Sequence, residues 1–146
     1  MKKVHKNNSM ITYFIDEESK CITAVIPVTE LTQDVHHTIQ KSLNKNNTGG
    51  NIYIHKAYIA NDLVRTRCNS SYIKATVRLS QGDKYDESEG MQIACKKVLV
   101  KYYNFKRKIL LDFSQQYLTQ WMKDIYLETE YATNRYVNFL AEYDKA

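Results

Sequence analysis

The sequence predicts an α+β fold, an N-terminal antiparallel sheet of about four strands with one short helix, followed by two long C-terminal helices. Three observations carry this. The first half alternates β-branched and aromatic runs with polar turns. From Asp86 onward the chain has no Pro and no Gly except Gly90. Apolar residues then recur every seven positions, at Leu111, Leu118, Ile125, Ala132 and Phe139. A chain of 146 residues, 43% hydrophobic and 25% charged, fits one domain over 1–146, with a sheet-rich part over about 10–82 and a helical part over about 86–146.

The elements follow in order. "MITYFID" and "CITAVIPV", separated by the polar "EESK", read as a hairpin of strands 10–16 and 21–28, which puts Pro27 at a strand end or sheet edge. Leu31, Val35, Ile39 (or Thr38) and Leu43 then fall at helical spacing, predicting a helix over about 30–43 with Thr29 or Thr32 available as its cap. "NKNNTGG" breaks it as an exposed loop. "NIYIHKAYIANDLVRTR" and "SYIKATVRLS" read as two further strands. In the second, Ile73, Ala75, Val77 and Leu79 alternate with Tyr72, Lys74, Thr76 and Arg78, giving one apolar and one polar, basic face. Arg65 and Arg67 share a parity in the strand before it, so a pairing of the two places Arg65, Arg67, Lys74 and Arg78 on one basic surface.

The acidic run "GDKYDESEG" precedes the helical part. Asp86 with Glu89 three residues later has the capping-box spacing, and carboxylates near a helix's positive end are stabilised there. The run therefore reads as a helix start, and Tyr85 is the residue in it that capping does not explain. Ile93, Ala94, Val98 and Tyr102 form the first helical face, and "NFKRK" at 104–108 is where a turn or kink is expected. Beyond it the seven-residue seam, with Phe113, Tyr117 and Trp121 beside it, spans about 35 residues or roughly 50 Å, more than a small sheet can cover. It predicts self-association, at least a dimer, or packing along the first helix. Ser114, Glu128 and Arg135 at the other seam positions argue against a simple parallel leucine zipper.

Composition narrows the chemistry. No run approaches the roughly 20 apolar residues of a membrane span, and the start "MKKVHKNNSM" lacks the apolar segment of a secretory signal, so a cytoplasmic protein without membrane contact is expected. Cys21, Cys68 and Cys95 are odd in number and far apart, suggesting free thiols. His36 and His37 point about 100° apart on a helix and have no Glu or Asp three or four residues after them, so no metal site is expected. Neither a nucleophile elbow, a P-loop nor a dinucleotide fingerprint occurs, since the glycines stand at 49, 50, 82 and 90. Asp83 with Asp86 or Glu89 lacks the burial that catalytic acid pairs need. No catalytic residue and no cofactor are expected.

Charge speaks for binding. The formal net charge is +5, and from Val35 to Gln81 seven Lys or Arg face the single acid Asp62. Six basic residues and no acid lie between Met91 and Lys108, whereas from Ile109 to Ala146 three bases stand against six acids. Arginines on strands and lysines such as Lys97 and Lys101 on the first helix can neutralise phosphates, and Tyr72, Tyr85, Tyr102 and Tyr103 can stack on bases. A solvated basic face without a ligand is the plain alternative. The acidic tail allows the basic middle to pair with another copy instead.

The run "ATVRLSQGDKYDESEGMQIACKKVL", residues 75–99, resembles a pattern in small proteins of phages of Gram-positive bacteria: a strand, a polar turn, Asp-x-Phe/Tyr-Asp-x-x-x-Gly and a helix with Ala four residues after the Gly. Asp83, Tyr85, Asp86, Gly90 and Ala94 occupy those places, while Leu79-Ser80-Gln81 stands where a Cys-x-Pro is expected. With the sheet and long helices, the chain resembles the Thoeris anti-defence sponges. That resemblance implies an oligomer that holds a cyclic ADP-ribose-type signal between subunits without cleaving it. It also implies a pocket in which Tyr85 stacks, while Arg65, Arg67, Arg78 and Lys97 meet the phosphates. The other reading of the basic middle is a nucleic-acid-binding phage regulator or an inhibitor of a host nuclease.

Overall fold

The structure, a computed structural model, describes residues 1–45, 50–79, 84 and 86–145, without the side chains of 43–45, 50–56 and 143–145. In chain order the elements are β1 (Lys2–His5), β2 (Thr12–Asp16), β3 (Cys21–Pro27), α1 (Val28–Lys45), α2 (Gly50–Arg67), β4 (Tyr72–Arg78) and α3 (Glu87–Lys145). The four strands form one antiparallel sheet in the order β1-β2-β3-β4, confirming the α+β class. The chain divides into two compact units, residues 1–111 and 112–146.

Alternation of side chains gives the sheet two unlike faces. On the inner face Tyr13 stands opposite Ala24, Ile15 opposite Ile22, and Ala24 opposite Ala75, all of them buried. Leu31, Val35 and Ile39 of α1 and Ala94, Val98, Tyr102 and Ile109 of α3 are buried as well and complete the core. Each fully buried aliphatic side chain contributes about 1.5–3 kcal/mol. The β2–β3 turn is held by Asp16, whose Oδ1 accepts from the Glu18 and Ser19 amides at 3.1 and 3.3 Å. It closes through Lys20 at φ 54°, a left-handed conformation that a glycine would adopt more readily.

Polar links fix α3 within the first unit. Tyr102 donates to Asp34 Oδ2 of α1 at 2.6 Å, and Lys106 donates to Asp34 Oδ1 at 3.1 Å. Burial, and then Asp34 itself, push the Tyr102 phenol well above its ordinary range. Burial raises the Asp34 carboxyl, but the Tyr102 hydroxyl and the Lys106 ammonium outweigh it and leave the group below its ordinary value. On the sheet side, burial and a hydrogen bond with Cys95 push Tyr13 up to about 12. Gly90 lets the helix start approach the sheet, because a Cβ there would lie 2.5 Å from Ile22 Cδ1, and Ile22 is itself buried. Gly90→Val is expected to lower stability by about 1–3 kcal/mol through overpacking, read as a shift in the urea midpoint with an unchanged slope.

Several expectations hold and several are corrected. Pro27 does end a strand, and Asp86 does cap α3, accepting from the Glu89 amide at 3.2 Å. The helix expected over 30–43 starts earlier, at Val28, so neither Thr29 nor Thr32 is its cap; Thr32 donates back to the Val28 carbonyl at 3.1 Å. The segment read as a strand before Cys68 is helix α2. Ala60, Leu63 and Val64, spaced by three and four, are buried there, and that helical stripe prevails over the β-branched content. The two C-terminal helices are one. Val98, Tyr102, Phe105 and Ile109 carry the apolar face through "NFKRK" without a gap, and Lys106 in that stretch is tied to Asp34, so nothing breaks the helix. Strand β1 was not anticipated, since "KKVH" has one apolar residue among polar ones.

Candidate functional site

The outer face of the sheet carries a groove that continues to its edge at β4. By register, Lys3 stands beside Phe14, Phe14 beside Thr23, and Thr23 beside Thr76; the next row sets Thr12 beside Val25 and Val25 beside Lys74. Val25 is buried although it lies on this face, and it floors a groove of about 620 Å³ walled by Lys3, Phe14, Tyr72 and Lys74. Thr23 and Thr76 share a hydroxyl hydrogen bond of 2.9 Å along the same face, and Lys3 Nζ lies 6.0 Å from the Phe14 ring centre.

Around the free side of β4 lies a second concavity of about 380 Å³. Arg67 and the turn Cys68-Asn69-Ser70 supply one wall, Lys101, Asn104 and Phe105 of α3 the other, and Tyr72 and Lys74 belong to both this pocket and the groove. Lys101 is placed there by a hydrogen bond of 2.8 Å to the Lys74 carbonyl. Arg67 is placed by the last turn of α2, where basic residues complement the helix's negative end. Tyr72 is 50% exposed at the junction, and no carboxylate lines either cavity among the described residues. The combination offers an aromatic face, four cations (Lys3, Arg67, Lys74 and Lys101) and amide or hydroxyl groups able to orient a polar ring.

The residues singled out from the sequence do not meet in one pocket. Arg67 lines the second concavity. Arg65, on helix rather than strand, is exposed and paired with Asp62 one turn back, because the helical rise turns it away from its expected strand partners. Arg78 lies at the other end of β4, roughly 20 Å along the strand from Tyr72. There it donates to Cys21 Sγ at 3.2 Å and holds that thiol below its ordinary value. It lines a separate cavity of about 400 Å³ with Lys84, Asp86 and Glu89, where two acids offset its charge. Lys97 is exposed on α3 and lines none of these cavities. Tyr85 and Asp83 lie outside the described residues.

Tyr72, Lys74 and Lys101, read from the sequence as parts of a basic, aromatic surface, converge there with Arg67. Lys3, Phe14 and Asn104 escaped sequence reasoning. Lys3 did so because its strand is four residues long, and Asn104 because it sits in the stretch taken for a helix break. His36 Nε2 lies 2.6 Å from Asn61 Oδ1, joining α1 to α2. The three cysteines are free and half-buried. No group of three His, Cys, Asp or Glu able to hold a metal occurs among the described residues, and no helix there is long and apolar enough to cross a membrane. Compared with protein-family models, with curated proteins and with solved structures, the chain matches none.

Proposed function

We propose that the protein binds a small anionic nucleotide at the Tyr72 junction and sequesters it unaltered. The reading is that of a phage-type anti-defence protein taking up a cyclic ADP-ribose-type signal in the host cell, as an oligomer of at least two chains. One observation carries the binding reading: an exposed aromatic ring joins two cavities that hold Lys3, Arg67, Lys74 and Lys101 and, among the described residues, no carboxylate. A base or nicotinamide-like ring stacks on Tyr72, and its phosphates lie toward Arg67 and Lys101. The resemblance of residues 75–99 to the sponge proteins supports the choice of a cyclic signal. Among the described residues the site holds no paired acids, and burial raises the Cys68 thiol rather than activating it, which favours holding the ligand over altering it.

A second reading, single-stranded nucleic acid, draws on the continuity of groove and pocket across Tyr72, which offers a path for more than one nucleotide. Mass spectrometry of what the denatured protein releases separates the two. An intact cyclic nucleotide, near one per site, is the expected result, and adding it back at about 100 times its Kd stabilises the fold by about 2.7 kcal/mol. A released ligand that is chemically changed during incubation makes the protein an enzyme. Oligonucleotide binding that weakens steeply with salt, without any thermal shift from cyclic nucleotides, overturns the sponge reading in favour of the second.

A further inference from the structure

We infer that residues 118–140 of α3 pair with the same segment of a second copy in antiparallel orientation, through a face that the second unit leaves uncovered. Leu118, Trp121, Met122, Ile125, Tyr136 and Phe139 are between 47% and 68% exposed. Leu118, Ile125, Ala132 and Phe139 repeat at seven residues, and Met122, Thr129 and Tyr136 fall between them, so the spacing alternates four and three throughout. That is a continuous coiled-coil seam, one residue away from the Ser114, Glu128 and Arg135 row that argued against a zipper. A concavity of about 630 Å³ overlaps the seam at Ile125, Thr129, Ala132 and Tyr136, with Trp121 and Glu128 beside them. The six large residues expose on the order of 800 Å² per chain, the share that one partner contributes to a standard stable interface.

Charge and volume select the occupant and its direction. With Thr129 facing Ala132 of the second copy, Ile125 faces Tyr136 and Met122 faces Phe139, so the small residues meet at the centre and each outer layer receives one ring and one aliphatic chain. The same register brings Glu128 beside Arg135 of the second copy, twice by symmetry, and sets Trp121 beside Glu142. A parallel pair instead stacks Tyr136 on Tyr136 and Phe139 on Phe139. It also leaves Glu128 beside Thr133 and Arg135 beside Leu140, with no opposite charge across the seam. The segment thus complements itself in the antiparallel direction. This pairing specifies the oligomer of the preceding section and is independent of the nucleotide.

Light scattering on the full chain after size exclusion tests the pairing. A dimer is expected, and Ile125→Glu, at an exposed position, should weaken it at least 100-fold with unchanged circular dichroism. Direction is read by disulfide formation. Ile125→Cys/Tyr136→Cys should form crosslinked dimers that peptide mapping assigns to 125–136 bonds between copies, whereas Ile125→Cys alone should not crosslink through position 125. A strict monomer overturns both the pairing and the oligomer. A dimer indifferent to Ile125→Glu overturns the seam, and 125–125 crosslinks overturn the direction. None of these results bears on nucleotide release, so the two readings fail separately.

Discussion

Asp34→Ala is expected to lower the stability of the first unit by about 2–4 kcal/mol, since a hydrogen bond to a charged group is worth about 1.5–3 kcal/mol and a stranded buried hydroxyl adds to the loss. Asp34 receives two donors from α3, Tyr102 at 2.6 Å and Lys106 at 3.1 Å, and the Tyr102 side chain is buried. Removing the carboxylate leaves that phenol without its acceptor and an ammonium, 22% exposed, without its counter-charge. Tyr102→Phe removes only the donor and should cost less, about 1 kcal/mol. The sign of the pH dependence is fixed by the direction of the Asp34 shift. Its folded pKa lies below the ordinary 3.8, so the linkage is fully present above that value and is lost as pH falls through the folded pKa. Urea midpoints of the parent and Asp34→Ala proteins measured from pH 7 down to pH 3 should therefore converge at the acid end. Midpoints that stay equally far apart at every pH would show that Asp34 acts through packing alone.

The second large effect concerns binding. Tyr72→Ala combined with Lys74→Glu should reduce nucleotide affinity by about 100-fold or more, given about 1–3 kcal/mol for stacking on one ring and a reversed charge beside the phosphates. Both side chains are exposed on β4, so the fold should keep its stability within about 0.5 kcal/mol. Isothermal titration with the released ligand reads the affinity, and circular dichroism the fold. Tyr72→Phe, which keeps the ring, should bind nearly as the parent does. Arg78→Glu serves as the contrast, because Arg78 lines a different cavity, and its substitution should leave affinity within about threefold. Equal losses from Arg78→Glu and the Tyr72/Lys74 variant would move the site to the other end of β4.

Much of the architecture is legible from period alone. Ile73, Ala75 and Val77 alternate strictly, and Leu31, Val35 and Ile39 keep one helical face, so β4 and α1 follow directly. Helix α2 is not legible in that way. "NIYI" and "AYIA" are rich in β-branched and aromatic residues, and the stripe of Ala60, Leu63 and Val64 that decides for helix lies in its second half. That misreading displaced Arg65 and Arg67 from a sheet face to a helix end, and with them the expected cluster. The basic stretch 104–108 looked like a break because polar residues crowd it. Phe105 and Ile109 keep the apolar face continuous, which becomes visible only once α1 and the sheet are in place to receive it. Sites assembled from a turn, a strand and a helix, as here, depend on partners that no local pattern names.

The hydrogen bond from Lys101 to the Lys74 carbonyl has a consequence beyond the pocket it shapes. β4 is the last strand of the sheet, and an outer strand with open carbonyls is a template on which another chain can add a strand. Here one of those acceptors is already occupied by an ammonium, and a charged side chain lies across the path an incoming strand would take. At the opposite margin β1 is short and carries Lys2 and Lys3, with Lys2 held to Glu87 at 2.8 Å. Neither margin invites continuation of the sheet into a fibre. Lys101→Met would uncover the β4 acceptor and should make the protein more prone to thioflavin-positive aggregation on prolonged incubation.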